Sequence, residues 1–274
     1  MKTLRTVAEM RRHLAPIRRD ALIGLAPTMG ALHNGHVALF RAARAMCGHV
    51  VATLFVNPGQ FNDPADLVAY PRQEPRDLEI AEAAGVDAIF VPSVDEIYSA
   101  GDATAIVAQG AALGFEGAFR PGHFNSVATV CVKLFNIVEP DIAYFGQKDA
   151  QQVAVIRQSI RDLRLDVRIE VVATVRDTDG LALSSRNFLL SADERRRALA
   201  IPRALSAGLA AHAAGADPVA AARAEMAGLE IDYIEVARFD GQPTLVVAAR
   251  SGRTRLIDNV PLDRPALAGL DHSF

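Results

Sequence analysis

The 274-residue chain predicts an α/β fold, a doubly wound parallel sheet over the first two-thirds with a second, smaller α+β domain after it. Three observations carry the prediction. Apolar runs with period two or none alternate with segments of period 3.6, the pattern of parallel strands joined by crossover helices. Glycine-containing polar turns follow several of those runs directly. Beyond about Val175 the texture changes to charged, Ala-rich helical stretches and then to short strand-like runs separated by Gly and Pro.

Strands are drawn at 22–26, 50–56, 88–91, 105–108, 142–145 and 167–172. Helices are expected at 37–47, after the first strand; at 75–84, ahead of Gly85; at 126–137, ending before Glu139-Pro140; and at 150–163, after the Lys148-Asp149 turn. Open sheets of this kind bind ligands at the carboxyl ends of their strands. Later in the chain, 192–214 is expected as one helix capped by Ser191, and 218–227 as another. Strands at 231–237, 244–249 and 254–257 follow, joined by turns that include Asp240-Gly241 and Ser251-Gly252. With no repeat or low-complexity linker between them, the two parts are expected to abut, their junction near Val175-Arg176-Asp177 bordering a cleft.

Half of the residues are hydrophobic and 22% are charged, an ordinary globular composition. The formal charge of −3 supplies no overall attraction to nucleic acid or anionic lipid. The N-terminus lacks a signal-peptide apolar core, and no apolar run approaches the ~18 residues that span a bilayer, so a soluble cytoplasmic protein is expected. Cys47 and Cys131 stand in apolar helical settings and read as reduced core residues. They support neither a disulfide framework nor a thiolate zinc site.

Pro27-Thr28-Met29-Gly30-Ala31-Leu32-His33-Asn34-Gly35-His36 leaves the first strand and enters the first helix. Free N–H groups at a helix N-terminus, with the positive end of its dipole, attract phosphate. His33 and His36 would add two donors able to meet charge developing in a transition state. Gly30 and Gly35 let backbone and ligand approach closely. The same residues also describe a turn whose histidines only cap a helix, so other segments must decide.

Three more segments stand where loops should follow strands. Asn57-Pro58-Gly59-Gln60-Phe61-Asn62 offers neutral amides suited to hydroxyl and carboxylate recognition, or an ordinary Asn-Pro turn. Gly146-Gln147-Lys148-Asp149 offers an ammonium for a phosphate, or a solvated Lys beside a helix cap. Asp177-Thr178-Asp179-Gly180-Leu181-Ala182-Leu183-Ser184-Ser185-Arg186-Asn187 gathers hydroxyls and a guanidinium able to grip phosphate, a set that any polar loop can also show. In Arg120-Pro121-Gly122-His123-Phe124-Asn125, His123 reads as structural rather than catalytic. The G-x-S-x-G, H-E-x-x-H and P-loop motifs are absent, and the Gly30 to Gly35 spacing is not that of a nicotinamide fingerprint. What remains is phosphate chemistry run by imidazoles, one lysine and one arginine.

Long motifs in fixed order then carry a resemblance. They are the segment 27–36, Phe55-Val56-Asn57-Pro58-x-Gln60-Phe61, Tyr70-Pro71-Arg72, Arg120-Pro121-Gly122-His123-Phe124 and Val127-Ala128-Thr129-Val130. Lys133-Leu134-Phe135-Asn136, Tyr144-Phe145-Gly146-x-Lys148-Asp149, Gln151-Gln152, the segment 179–187 and Thr254-Arg255-Leu256-Ile257-Asp258-Asn259 continue them. Over nearly its whole length the chain resembles the pantoate–β-alanine ligase family.

The resemblance implies a Rossmann-like nucleotide- and pantoate-binding domain over 1–175, a smaller domain over 176–274 closing over the nucleotide, and a homodimer. It implies an AMP-forming ligation in which pantoate's carboxylate attacks the α-phosphate of ATP, releasing pyrophosphate and forming pantoyl adenylate. The amine of β-alanine then displaces AMP to give pantothenate. Carried over by position, His33 and His36 contact the phosphates and support the departing pyrophosphate, His36 either as proton donor or as electrostatic stabiliser. Lys148 and Arg186 complete the catalytic set. Met29, Gly30, Ala31, Leu32, His33, Asn34, Gly35 and His36 would cradle ATP, as would Gly146, Gln147, Lys148, Asp149, Val175, Leu183, Ser184, Ser185 and Arg186.

Gln60 and Gln152 would hold pantoate, with Gln60 also near β-alanine. A neutral amide holds an attacking carboxylate without blunting its nucleophilicity. Magnesium (Mg2+) is expected to bridge the ATP phosphates with few protein ligands, as a hard, strongly hydrated ion prefers. Asp77 is the candidate ligand, although some family members place an acidic pair where this chain has Arg76-Asp77. Gly59 and Gln147 also depart from the family pattern, which more often has a larger apolar residue and Glu. A nucleotidyltransferase of the same core would need cations for a phosphorylated acceptor where Gln60 and Gln152 stand. A non-catalytic nucleotide-binding module would have no use for His33, His36 and Lys148 together, and neither nucleic acid nor membrane is expected as a partner.

Overall fold

The computed structural model describes residues 1–239 and 241–263. Asp240, part of an expected turn, and residues 264–274 of the expected second domain lie outside the described residues. The chain divides into two compact units, one of Met1–Gly146 with Gln151–Val172, the other of Gln147–Ala150 with the described residues from Ala173 onward.

In the first unit, β1 (Lys2–Leu4), β2 (Ile23–Ala26), β3 (His49–Thr53), β4 (Ala88–Phe90), β5 (Ile142–Gly146) and β6 (Arg168–Val172) form a six-stranded sheet of order β1-β4-β3-β2-β5-β6. Every pairing is parallel, as the doubly wound reading requires. Strand order reverses between β2 and β5, and such a sheet opens its ligand crevice at that point, beyond the carboxyl ends of the strands. The turn 27–36 begins where β2 ends.

Side chains alternate across this sheet. Ile23, Leu25, Val51, Phe90, Ala143 and Phe145 enter a core completed by Met10 and Leu14 of the helix Val7–Ile17 and by Phe124 and Leu134 of the helix His123–Val138. Val50, Ala52, Ile89, Ile142 and Tyr144 enter another, against Leu39, Phe40 and Ala43 of the helix Asn34–Met46. Burial on both faces explains why the strands read as continuous apolar runs. Each fully buried Leu, Ile or Phe contributes about 1.5–3 kcal/mol. Cys47 and Cys131 are buried and unpaired with each other, and burial pushes the Cys131 thiol up to about 12.

Residues 105–108, expected as a strand, are not one. Ile106 N–H donates to Thr129 Oγ1 at 2.9 Å and Ala108 N–H to Asn125 Oδ1 at 2.9 Å, so side chains of the helix His123–Val138 satisfy amides that a ladder would otherwise take. The sixth strand is Lys2–Leu4, paired with β4 and too short to show a period. The helix Val7–Ile17 is likewise not expected from apolar spacing, yet its start carries a capping box: Thr6 Oγ1 accepts the Glu9 N–H at 3.2 Å and a Glu9 oxygen accepts the Thr6 N–H at 3.0 Å.

In the second unit β7 (Glu230–Phe239), β8 (Gln242–Ser251) and β9 (Thr254–Pro261) form a three-stranded antiparallel sheet. Ile234, Leu245, Val247 and Val260 pack with Ile201 and Leu205 of the helix Ala200–Ala213 and Ala222 of the helix Pro218–Ala224. The stretch expected as one helix is two, Ala192–Ala198 and Ala200–Ala213. Pro202 has no N–H to return to the carbonyl of Ala198, so the break falls there. No helix among the described residues is long and apolar enough to cross a membrane.

At the amino end of β3, His49 faces His13, Nε2 to Nε2 at 3.2 Å. One ring must donate and the other accept, so at least one stays neutral. Burial holds both below the ordinary histidine value; the charge of Lys2 acts in the same sense, and Asp87 opposes it. The unfolded chain therefore takes up protons first, near pH ~6.5. This contribution to stability is full above that pH and is lost as pH falls toward the lowered folded values. Thermal unfolding from about pH 7.5 to about pH 5.5 should show a fall in Tm that is shallower in His13→Asn, and equal slopes would show that the pair carries none of it.

Candidate active site

The turn after β2 is held by side chains from distant parts of the chain. Thr28 N–H donates to Thr53 Oγ1 at 3.0 Å and Gly30 N–H to Thr28 Oγ1 at 3.2 Å, which ties the turn to the end of β3. Gly30 and Ala31 both take positive φ, 84° and 51°. For the alanine that path costs about 1–2 kcal/mol. It brings two N–H groups together, and Ala31 donates to Asp77 Oδ2 at 2.9 Å while Leu32 donates to Asp77 Oδ1 at 2.8 Å. Asp77, from the helix Glu74–Ala83, is 3% exposed. A Cβ on residue 30 would lie 2.9 Å from Asp77 Oδ2, so glycine is required by room as well as by φ. The Tyr70 hydroxyl, from the Tyr-Pro-Arg motif, donates to Gly30 O at 3.4 Å.

His33 and His36 then cap the helix Asn34–Met46 reciprocally. His33 Nδ1 accepts the Gly35 N–H at 3.1 Å, His36 Nδ1 accepts the His33 N–H at 3.2 Å, and the ring centroids are 4.2 Å apart. Because both Nδ1 atoms accept, each neutral ring carries its proton on Nε2. The amides of Ala31, Leu32, His33 and Gly35 all have acceptors inside the protein. Four of the backbone amides that the sequence suggested as open donors are thus already committed within the protein. Capping and donation are compatible, since they use different nitrogens.

Gln60 closes the short helical turn Pro58–Gln60. Its carbonyl accepts from Arg120 Nη2 at 3.0 Å and lies 3.2 Å from His123 Nδ1, which gives His123 a backbone-holding position. Asn57 Nδ2 donates to Ser126 O at 3.3 Å, so the motifs around Asn57 and His123 brace each other. A Cβ on Gly59 would meet Ser126 Oγ at 2.8 Å and Ser126 Cβ at 3.2 Å, so a larger residue there would require Ser126 to move. Gln152 is half-buried in the first turn of the helix Ala150–Leu163, and its neighbour Gln151 is committed to the Glu116 N–H and the Ala111 and Gly114 carbonyls.

In the second unit Val175 and Leu183 meet in a small hairpin, where Leu183 N–H donates to Val175 O at 2.9 Å and Arg176 pairs with Ala182. Arg176 grips the Asp258 carboxylate with both terminal nitrogens, at 2.6 and 3.2 Å. Arg195 holds Asp179 at 2.8 Å and Asp177 at 2.6 Å. The Thr178 N–H, and after it Arg195, keep the Asp177 carboxyl below the usual carboxylate range. Beyond the hairpin, Ser184 Oγ accepts the Arg186 N–H at 3.3 Å. Ser184 and Arg186 line one pocket with Lys148 and Asn187. Asn187 Oδ1 is buried without a hydrogen-bond partner among the described residues, a deficit that a ligand O–H or N–H would remove.

Asn259 is the functional residue that sequence reasoning did not single out, although its motif was noted. It is 4% exposed, and its Nδ2 donates to Lys148 O at 2.8 Å and Gln147 O at 2.9 Å, while Gln147 Nε2 donates to Asn259 Oδ1 at 3.0 Å. Asn259 thereby sets the turn that carries Lys148, and Gln147, unlike a Glu, can donate back to it. The signal available was a buried-type asparagine inside an apolar strand, which must be bonded to be tolerated.

Asp77 does not fit the role of a magnesium ligand. Each of its oxygens already accepts an N–H and it is nearly inaccessible, whereas magnesium keeps much of its water. Among the described residues no group of three or more His, Cys, Asp or Glu side chains lies together as a metal site.

A parallel sheet with its switch point beside an imidazole-capped turn, and a pocket that combines an ammonium, a hydroxyl and a guanidinium, define a nucleotide-handling α/β enzyme. The family described as pantoate-beta-alanine ligase matches residues 2–261. Curated relatives named pantothenate synthetase include one from Cereibacter sphaeroides, 47% identical over 275 residues, covering 94% of this chain and 99% of the relative. Another, from Mycolicibacterium smegmatis, is 49% identical over 261 residues, covering 91% and 83%. The fold is similar to the crystal structure of pantothenate synthetase from Thermus thermophilus, with TM-score 0.90, 41% identity and coverage of 96% and 99%. It is also similar to a pantoate-beta-alanine ligase from Francisella tularensis complexed with beta-gamma ATP and beta-alanine, with TM-score 0.83, 33% identity and coverage of 97% and 99%. The chain belongs to the pantoate–β-alanine ligase family.

Replacing Asn259 by Ala removes three hydrogen bonds from the Lys148 turn and leaves β9 in its sheet. Each is worth about 1 kcal/mol net, so amide exchange of residues 147–149 should accelerate at least about tenfold. Exchange along β8 and β9 should stay unchanged. Uniform acceleration would show a loss of global stability instead.

Proposed function

We propose that the chain condenses pantoate with β-alanine, driven by ATP, through a pantoyl adenylate, releasing pyrophosphate and AMP. The observation that carries this reading is the reciprocal cap of His33 and His36, because it fixes both rings through Nδ1 beside the switch point of a parallel sheet.

A carboxylate is a poor electrophile. Attack of its oxygen on the α-phosphorus, with cleavage of the bond to pyrophosphate, converts it to a mixed anhydride whose leaving group is AMP. The amine of β-alanine then attacks the acyl carbon, the bond to AMP breaks, and the amine proton is released. Donors fixed in advance stabilise the charge that grows on the departing pyrophosphate without reorganising. His33 and His36 supply them. A second proton on His36 would displace the His33 N–H from its Nδ1, which supports a hydrogen-bonding role for His36 over that of an acid.

Met29 to His36 and Gly146 to Asp149, with Val175 and Leu183 to Arg186, make up the ATP site of this reading. Lys148, Ser184, Ser185 and Arg186 neutralise and orient the triphosphate, and the grouping of Lys148, Ser184 and Arg186 at one pocket with Asn187 supports that role. Gln60 and Gln152 hold pantoate through neutral amides. Magnesium belongs to this reading as the ion that accompanies ATP, carried by phosphate oxygens and water. A homodimer in the cytoplasm completes it, on the strength of the family resemblance, and light scattering in solution checks the dimer.

Exchange of labelled pyrophosphate into ATP should require pantoate and not β-alanine. Exchange without pantoate, or only with a phosphorylated acceptor, would favour a nucleotidyltransferase; none at all in folded protein would favour a binding module. His36→Ala should slow adenylate formation about 10²–10³-fold while weakening ATP binding far less. Equal losses in both would make His36 a ground-state binding residue.

A further inference from the structure

We infer that Asp77 is a positioning residue for the two catalytic histidines, an internal anion that holds Gly30-Ala31-Leu32 in its left-handed path. The inference rests on the ligase reading for its catalytic consequence, but its structural content stands apart from it. Successive N–H groups in a left-handed turn form a concavity that binds anions. In this turn the anion comes from the protein: Ala31 and Leu32 each donate to a different oxygen of Asp77, at 2.9 and 2.8 Å. The concavity is therefore filled before any substrate arrives.

The connection from Asp77 to the histidines is a short chain of bonds. Leu32 precedes His33, whose N–H is given to His36 Nδ1, and His33 Nδ1 holds the Gly35 N–H. Releasing Leu32 frees the residue that enters the cap. Two further observations point to the same clamp. Gly30 has no room for a Cβ because Asp77 Oδ2 is 2.9 Å from where it would stand, and the Tyr70 hydroxyl bonds the Gly30 carbonyl at 3.4 Å. Helix Glu74–Ala83 brings the carboxylate in from below and leaves it 3% exposed.

Asp77→Asn keeps the size but can accept only one of the two N–H groups. Hydrogen exchange of the Ala31 and Leu32 amides, a substrate-free readout, should accelerate about tenfold or more in this variant. Calorimetry with ATP in excess EDTA should show binding weakened about tenfold, while the magnesium concentration for half-maximal pyrophosphate exchange stays within about twofold of wild type. Combined with His33→Ala and His36→Ala together, Asp77→Asn should slow adenylate formation no more than about threefold further, because the three act as one unit. Unchanged ATP binding in EDTA with a raised magnesium requirement would overturn the inference in favour of a metal ligand. Multiplicative losses in the triple variant would overturn it in favour of general destabilisation. If Asp77→Asn does not fold, Tyr70→Phe releases the same turn more gently, and the same measurements should move in the same direction by smaller factors. Failure of the wild type to exchange pyrophosphate would sink the ligase reading and leave the amide-exchange result to judge the clamp.

Discussion

Every backbone N–H that the chain turns inward at the end of β2 has to find an acceptor, and this constraint organises the first unit's site. The path through Gly30 and Ala31 aims two amides at one point, and the helix start that follows would leave more of them open. Asp77 takes the first two and the imidazoles take the next. The cost of a left-handed alanine is offset by hydrogen bonds to a buried carboxylate, each worth about 1.5–3 kcal/mol when one partner is charged. The orientation of both rings follows from the same constraint, because each imidazole commits Nδ1 to the backbone.

A similar logic runs through the second unit, with the signs reversed. There the carbonyls of Gln147 and Lys148 need donors, and Asn259 supplies them from β9. Next to it in sequence Asp258 neutralises Arg176, and the ion pair fixes the hairpin that leads to Ser184. Removing one member of a pair so buried leaves a charge without compensation, which costs about 3–5 kcal/mol. The polar residues around Lys148 and Arg186 are thus largely committed to holding the fold of this unit.

The doubly wound sheet was legible because burial on both faces wrote itself into the sequence as apolar runs, from Leu22 to Ala26 and from Val50 onward. What escaped was short or satisfied from elsewhere. Lys2–Leu4 has three residues and no period, and the run at 105–108 has strand composition but gives its amides to Thr129 and Asn125. Site residues were legible as motifs, since glycines, imidazoles and amides in fixed order are rarely accidental. Their mutual service was not. That Asp77 faces a turn 45 residues earlier and that Asn259 holds Lys148 depend on pairings between distant segments, which one sequence does not specify.

The choice between a carboxylate and a phosphorylated acceptor turns on what the cations near Gln60 are bonded to. Arg120 Nη2 donates to the Gln60 carbonyl and His123 Nδ1 lies against the same atom, so both basic side chains support the backbone of the loop. On the reading proposed above, the loop then has the Gln60 amide, and no cation of its own, for the substrate. An amide hydrogen-bonds a carboxylate or a hydroxyl without drawing electron density strongly from the attacking oxygen, whereas a doubly charged phosphate buried against it would lack the charge-assisted bonds that such groups require. The electrostatics of the first unit are then consistent throughout. Asp77 fills the turn after β2 and the cations near Gln60 serve the backbone, so on the reading proposed above the positive charge that ATP needs falls to Lys148, Arg186 and the ion that ATP carries.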